Sequence, residues 1–576
     1  MIINTYNRTL YSLNGKWRII IDPYECGYYD SQYKPKENGY FKDSKPKNKS
    51  DLIEYNFDDS DFLDVPGDWN SQDERLMLYE GTVWYKKNFD YHKKGDSRLF
   101  LYFGSVNYHA RVYINGLSVG EHEGGFTPFY FEITDIVRKS NNIIVVKVDN
   151  KRLIEGVPTV NTDWWNYGGL TRHVMLIECP KTFIEDYFIQ LEKGSMKQIW
   201  GWIKLNGDKR QQKVTLTIPE VNISETITTN TDGYVEIHST AKFELWSPEN
   251  PKLYEVIIKS ESDTIRDWIG FRCIETRGTD LLLNGNPLFL RGISIHEEAP
   301  IRGGRACTQE DAQILLGWAK DLNCNFIRLA HYPHNEFMLR LADRLGLLVW
   351  AEIPVYWTIS WKNSRTYNNT KTQLTEMIMR DKNRASIILW SLSNETPISD
   401  ERTDFLKNLA YHARSLDPTR LLTAALNRQF MDEYTIITND PLGEYIDVVG
   451  YNEYIGWYNG LPEKCDQIMW KTIYDKPHIM SEFGGGALYG YHGDTETRWT
   501  EEYQEYLYKQ QINMLKKIQF LRGMTPWILM DFRSPRRSLP GIQDFWNRKG
   551  LISNRGEKKK AFYVLQTFYK ELKRKK

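Results

Sequence analysis

The 576-residue chain has no charge of one sign to spare: Lys plus Arg and Asp plus Glu each number 75. That balance removes the electrostatic case for nucleic acid or an acidic membrane surface as the main partner. Cysteine is scarce and scattered. Cys26, Cys179, Cys273, Cys307, Cys324 and Cys465 show neither a CxxC spacing nor a pairing with histidine, so neither a zinc site nor a disulfide framework is expected. Long apolar runs are missing as well. The first residues, "MIINTYNRTLYSLNGKW", lack the apolar centre of a secretory signal, and no later stretch of about 18 apolar residues is long enough to cross a bilayer. The expectation is a soluble chain, cytoplasmic as given or periplasmic if a leader has been removed. No Gly-rich phosphate fingerprint is present, and no serine or cysteine is paired with a base in an evident triad.

What the chain has in excess is aromatic surface: 14% of residues, with 19 Trp and 36 Tyr. Pyranose rings stack on such faces, which leans towards carbohydrate; filling two β-sandwich cores is the competing use. A chain of this length exceeds one hydrophobic core, so several domains are expected. Residues 1–180 alternate apolar and polar positions, as in "LFLYFGSVNYHARVYINGLSVGEHEGG", and Asn115-Gly116 is a hairpin-turn signal. This predicts a β-sandwich, with the polar, Pro/Lys-rich stretch 25–60 as a long surface loop. Residues 181–275, with "KQIWGWIKL", "KVTLTIPEV" and "LYEVIIKS", predict a second sandwich of the immunoglobulin-like kind.

From residue 276 to 576 the rhythm changes to apolar strands alternating with helices. "FLRGISIH", "NFIRLAHY", "LLVWAEIP", "IILWSLSN", "LLTAA", "DVVGYN", "HIMSEFG" and "MTPWILMD" supply the eight strands that a (β/α)₈ TIM barrel needs. A doubly wound open sheet is the alternative. In a barrel, strand ends converge on one mouth. Here they carry His296, Arg328 and His331, Glu352, Asn394 and Glu395, Asn452 and Tyr454, Glu482, then Trp527 and Asp531. Glu395 and Glu482 end strands four and seven, across the barrel from one another. Two carboxylates facing a sugar-sized gap are the minimal equipment for glycoside hydrolysis, and a separation of about 5–5.5 Å gives double displacement with retention. Glu352 and Asp531 read as ion-pair supports.

These residues carry a resemblance. "WSLSNE", with Asn394-Glu395, looks like the acid/base signature of glycoside hydrolase family 2, and "IMSEFGG", with Glu482, is similar to its nucleophile segment. "LNGKW", "VWYKKNF", "HEGGFTPF" and "WNYGGLTRHVML" resemble that family's N-terminal sugar-binding-like jelly roll; "LNGNPLFLRGISIHEE" resembles the junction into its catalytic barrel. Within the family the β-glucuronidases are the closest fit, because Asn547 and Lys549 in "WNRKG" match the Asn-x-Lys pair that holds the sugar carboxylate. A charged C6 group gains charge-assisted hydrogen bonds there that a neutral hexose cannot make.

The resemblance implies further roles. Asp163 in "TDWWNYGG" would reach the distal hydroxyls, His296 and His331 would be active-site imidazoles, and Asn394 would hold the 2-hydroxyl. Tyr454 and Tyr458 in "YNEYIGWYNG" would lie near the substrate, and Trp527 would form a wall. The chain departs from the glucuronidase pattern at Gln543, where those enzymes have an arginine; Arg533, Arg536 or Arg548 are candidates to compensate. The loop after strand three is short, which suits oligosaccharide ends or bulky aglycones. The implied activity is a retaining exo-β-glucuronidase that needs no metal or organic cofactor, acting on a glucuronide-bearing carbohydrate or small molecule. A homo-oligomer is a modest expectation. The alternatives are a β-galactosidase or β-galacturonidase of the same family and, more remotely, a non-catalytic carbohydrate-binding protein.

Overall fold

A computed structural model describes residues 1–36, 47–51 and 54–574. The first 180 residues fold as two antiparallel sheets. One has six strands, with Gly15–Ile21, Thr82–Phe89 and Asn142–Asp149 at its centre; the other has four, ordered Thr9–Ser12, Val174–Cys179, Arg98–Phe103 and Phe129–Glu132. Trp17, Val83, Leu101, Val112, Val146 and Leu176 point between the sheets and are buried, as the alternating pattern requires. Asn115 (φ +51°) and Gly116 (φ +86°) turn the hairpin that pairs Ile114 with Leu117, so the turn falls where the sequence marks it.

A second pair of sheets, of three and four strands, spans Phe183–Ile269. Its strand Tyr234–Thr240 alternates buried and outward residues along its length, which is the signature of a sheet with one wet face.

The C-terminal part is a closed barrel of eight parallel strands: β1 Leu290–Ile295, β2 Phe326–Leu329, β3 Leu348–Glu352, β4 Ile387–Asn394, β5 Leu421–Leu426, β6 Val448–Asn452, β7 His478–Glu482 and β8 Leu521–Met524. Every residue of β4 is buried, because a parallel strand ringed by helices has no wet face. The open-sheet alternative is excluded, since β8 pairs back onto β1. Helices α1 Gln309–Asp321, α2 Glu336–Leu345, α3 Ser364–Asp381 and α4 Asp400–Leu416 follow the first four strands, and α5 Glu501–Leu515 and α6 Lys560–Arg574 follow the last two. After β5 and β6 the chain returns through short strands and 3₁₀ turns, Pro441–Glu444 and Pro462–Asp466.

The eighth strand corrects the sequence reading. It ends at Met524, and Trp527 and Asp531 belong to the segment beyond it. "WILMD" is apolar because it packs under the mouth, not because it pairs in the barrel. The predicted loop 25–60 packs where described against the outer face of the first sandwich, through Glu25 with Lys147 and Tyr28 over Arg111; residues 37–46 and 52–53 lie outside the described residues. No described helix is long and apolar enough to cross a membrane.

Buried ion pairs fasten the sandwiches to the barrel. Lys382 Nζ donates to Asp186 at 2.6 Å. Arg172, at the end of the first sandwich, donates from Nη2 to Glu297 at 3.1 Å and to the Pro333 carbonyl at 2.7 Å, while Arg305 Nε donates to the same carboxylate at 2.9 Å. Burial pushes the Glu297 carboxyl up, but the two guanidinium charges outweigh it and hold it at about 2. Arg172→Met leaves Glu297 one cation short, so the unfolding free energy in urea should drop by about 3 kcal/mol at neutral pH. A carboxyl depressed by folding stabilises above its unfolded value and loses that contribution as pH falls through its folded one. The gap between wild type and variant should therefore close as pH falls from 4.5 towards 2. A gap that widens on acidification would contradict this account.

Candidate active site

At the carboxyl ends of the strands lies a cavity of about 370 Å³. Its floor is built around Arg328 of β2, which is fully buried. Nη1 donates to Glu482 Oε1 at 2.8 Å and to the Ser481 carbonyl at 3.0 Å; Nη2 donates to Asn394 Oδ1 at 2.7 Å and to Glu352 Oε1 at 3.1 Å. One side chain thus touches β3, β4 and β7. Burial pushes the Glu352 carboxyl up, yet the Arg328 charge and hydrogen bonds from His331 and Trp350 hold it down at about 2. His331 Nδ1 lies 2.8 Å from Glu352, so the ionised carboxylate fixes the ring with its proton on Nδ1 and turns Nε2 towards Glu482, 3.9 Å away.

Glu395 and Glu482 line the same cavity. Glu482 ends β7 and is 5% exposed; besides Arg328 it accepts from Tyr454 OH at 2.6 Å. Burial raises its carboxyl above the ordinary range, the Arg328 charge opposes this, and the Glu395 charge adds to it. Glu395 receives neutral donors only: Trp357 Nε1 at 2.9 Å and Asn452 Nδ2 at 3.0 Å. Successive strand residues face opposite ways, so Asn394 and Glu395 could not both serve one site from a regular strand. The backbone resolves this by leaving the β region at Glu395, where φ is +50°, a conformation that costs energy for a side chain with a Cβ and recurs at functional sites. The Glu395 N–H donates to the Ala425 carbonyl at 2.8 Å, which anchors the turn.

The predicted residues divide into two groups. Asp163, His331, Asn452, Tyr454, Tyr458, Trp527 and Lys549 line the cavity with the two glutamates. His296, Asn394 and Asn547 stand behind it. His296 is 4% exposed, with its ring centre 4.2 Å from Phe532 and 5.1 Å from Trp527, and burial depresses its imidazole well below the usual value. It backs the wall instead of facing the cavity. Asn547 Nδ2 donates to Asp163 Oδ2 at 3.2 Å, so its amide holds another site residue. Asn394 Oδ1 is occupied by Arg328, but its buried Nδ2 has no partner. An unspent donor beside two carboxylates is a place for a ligand oxygen.

Glu352 and Asp531 are supports, as the sequence reading has them: Asp531 accepts from Lys559 Nζ at 2.8 Å and Gly550 N at 2.9 Å. The arginines expected to compensate for Gln543 do not line the cavity. Arg548 turns to Asp531 and Asn554, Arg533 lies over Trp165 and Trp546, and Arg536 donates to Asn161. Seven cavity residues escaped the sequence reading: Tyr356 and Trp357 from the short loop after β3, Asn427 and Arg428 after β5, Glu453 and Asn459 after β6, and Arg537. Aromatic residues in a loop give no signal of direction, and Arg537 is one of two adjacent arginines whose partner, Asp163, lies in another domain.

A family model described as glycosyl hydrolases family 2, TIM barrel domain, matches residues 274–573; the family's sugar binding domain matches 10–180 and a third model of the family matches 182–272. A β-glucuronidase from Paenibacillus borealis is 28% identical, the alignment covering 99% of this chain and 98% of the relative. Among solved structures, a Ruminococcus gnavus β-glucuronidase superposes with a TM-score of 0.83 at 25% identity over 99% of both chains. An Eisenbergiella tayi family 2 β-galacturonidase bound to galacturonate does so with 0.81 at 25% over 98% of both.

Because the Glu395 charge helps to raise Glu482, Glu395→Gln should lower the pH at which Glu482 takes up its proton. Carboxyl-stretch difference infrared spectra across a pH series, assigned with Glu482→Gln, would read the shift. No shift, or an upward one, would mean that the two groups do not share a field.

Proposed function

The chain belongs to glycosyl hydrolase family 2, and within that family we propose a retaining, exo-acting β-glucuronidase that removes terminal β-D-glucuronic acid from glycans or conjugates. The observation that carries this reading is Lys549. It is 4% exposed, lines the cavity and donates to Tyr458 OH at 2.7 Å, and among the described residues it makes no ion pair with a carboxylate. A buried ammonium without a counter-ion is costly unless a ligand supplies one. The C6 carboxylate of a uronic acid supplies it, and a neutral sugar does not. The names borne by the similar proteins support the same choice.

The two glutamates take different roles because their partners differ. Burial pushes Glu482 towards its neutral form, but the guanidinium and the phenol that aim it favour the carboxylate; in that form it attacks the anomeric carbon and forms a glycosyl-enzyme. Glu395, on the more open side with neutral donors only, gives its proton to the leaving oxygen and then takes one from the water that hydrolyses the intermediate. Asn394 Nδ2 would meet the 2-hydroxyl, where a hydrogen bond strengthens as positive charge builds on the ring. The chemistry calls for no metal or organic cofactor, and every group in the scheme comes from one chain, so a homo-oligomer is not needed to complete the site. A β-galacturonidase is the second reading: the two uronates share the carboxylate and differ at C4, which Lys549 does not read.

A panel of p-nitrophenyl β-glycosides decides. The glucuronide should be turned over fastest, ahead of the galacturonide and far ahead of the galactoside. Lys549→Met should cut kcat/KM for the glucuronide about 100-fold or more and for the galactoside much less; equal losses on both would end the case for uronate recognition. Glu395→Gln should slow the p-nitrophenyl glucuronide about 100- to 10,000-fold, and a 2,4-dinitrophenyl glucuronide much less, because that leaving group needs little protonation. An Glu395→Gln protein with undiminished function would point instead to a non-catalytic binding protein.

A further inference from the structure

The glucuronide reading leaves one difficulty, which is that a single ammonium and Tyr458 face a carboxylate with four lone-pair sites. Gln543, where an arginine would be expected, does not line the cavity. Arg537 does. It lies in the loop of a short hairpin in which Phe532 pairs with Asn547 and Arg533 with Trp546, so the same turn of chain that presents Asn547 and Lys549 also presents Arg537. The Phe545 N–H donates to the Arg537 carbonyl at 2.7 Å and closes the loop.

The guanidinium is only half committed. Nε donates to Asp163 Oδ1 at 2.9 Å and Nη2 donates to Asp163 Oδ2, leaving Nη1 with no hydrogen bond among the described residues. The side chain lines the cavity and is 23% exposed, so it is not sealed off by the protein around it. Asp163 cannot turn away to another cation, because Ser534 Oγ at 2.6 Å and Asn547 Nδ2 at 3.2 Å pin it as well. A planar guanidinium braced on one edge by a fixed carboxylate presents its other edge in a set direction, which suits a second carboxylate.

Resting on the uronate reading of the site, we infer that Arg537 is the specificity-determining residue that completes recognition of the substrate carboxylate, acting from Nη1 opposite Lys549, with Asp163 as its brace. Tyr458 lies in the same field. Burial pushes its phenol up, but the Lys549 and Arg537 charges outweigh burial and hold it below the ordinary tyrosine value, as expected where two cations converge with too little negative charge to balance them. A substrate carboxylate completes that balance.

The test compares p-nitrophenyl β-D-glucuronide with p-nitrophenyl β-D-glucoside, which differ at C6 alone, in wild type, Arg537→Met and Arg537→Lys. Loss of Arg537 also loosens Asp163, which both sugars meet, so the measure is the ratio of the two kcat/KM values. That ratio should fall about 10- to 100-fold in Arg537→Met, the span of one lost charge-assisted contact, and by an intermediate amount in Arg537→Lys. Inhibition by free glucuronate against free glucose should shift in parallel; it measures binding without chemistry, and wild-type thermal unfolding midpoints in the variants would establish that they fold. A ratio unchanged in Arg537→Met, with both substrates slowed equally, would reduce Arg537 to a brace for Asp163 and overturn the inference while leaving the glucuronide reading intact. A wild type with no preference for the glucuronide over the glucoside would remove the reading itself, and the inference with it.

Discussion

A single guanidinium, that of Arg328, sets the geometry on which everything else at the barrel mouth depends. It is fully buried and placed on β2, yet it holds Glu352 of β3, Asn394 of β4 and Glu482 of β7. A charge taken so far from water is tolerable only if its hydrogen-bonding capacity is spent on opposite charge with good geometry. Here two carboxylates and an amide meet that condition, and they in turn need the guanidinium, since two buried anions without a cation between them would protonate instead. The closed barrel makes the arrangement possible: only a ring of parallel strands brings the ends of β2, β3, β4 and β7 within reach of one side chain. Glu352 then passes the order outward by fixing His331.

The barrel supplies the two glutamates of the cavity, but the cavity is not finished without the first sandwich. Asp163 and Trp164 arrive on the segment that follows that sandwich's long central strands. Trp164 packs edge-on against Tyr356, with ring centres 5.0 Å apart, and Asp163 closes on Ser534, Asn547 and Arg537. The ion pairs that join the domains, Arg172 with Glu297 above all, therefore do more than stabilise: they keep Asp163 in register with the hairpin that it braces. An error of about 1 Å between domains would be transmitted directly into the site.

Much of this was legible from the sequence, for a reason that lies in topology. In a parallel barrel the end of each strand is a fixed address, so Glu395, Asn452 and Glu482 could be placed at one mouth from strand ends alone, and the structure brings them to one cavity. The reading failed where position did not follow from strand order. Trp527 was given to β8 because "MTPWILMD" is as apolar as a strand, whereas the strand begins three residues earlier and ends at the first residue of that run, spanning Leu521–Met524. His296 does follow β1, but it packs against the rings of Phe532 and Trp527 and does not line the cavity. Asn547 and Lys549 are two residues apart and look equivalent on paper. In the fold one faces Asp163 and the other the cavity, a distinction made by a hairpin with no periodic signature. Arg537 was passed over for its neighbours Arg533 and Arg536, since nothing in "RSPRRS" says which arginine a distant aspartate will select.

The two ends of the cavity differ in how their charges are balanced, and the difference is informative. Around Arg328 the account is nearly closed within the protein: cation, carboxylates, amide and phenol satisfy one another, and what is left unspent is small, the single Nδ2 of Asn394. Around Lys549 it stays open: among the described residues the ammonium hydrogen-bonds only to a phenol, and the Arg537 guanidinium has one edge without a hydrogen bond. Folding free energy alone would favour closing both, because an uncompensated buried cation destabilises the native state. A chain that keeps the first end closed and the second open gives up stability only where a ligand restores it. The closed end fits groups that must stay fixed while bonds change, and the open end fits a substrate that brings its own negative charge.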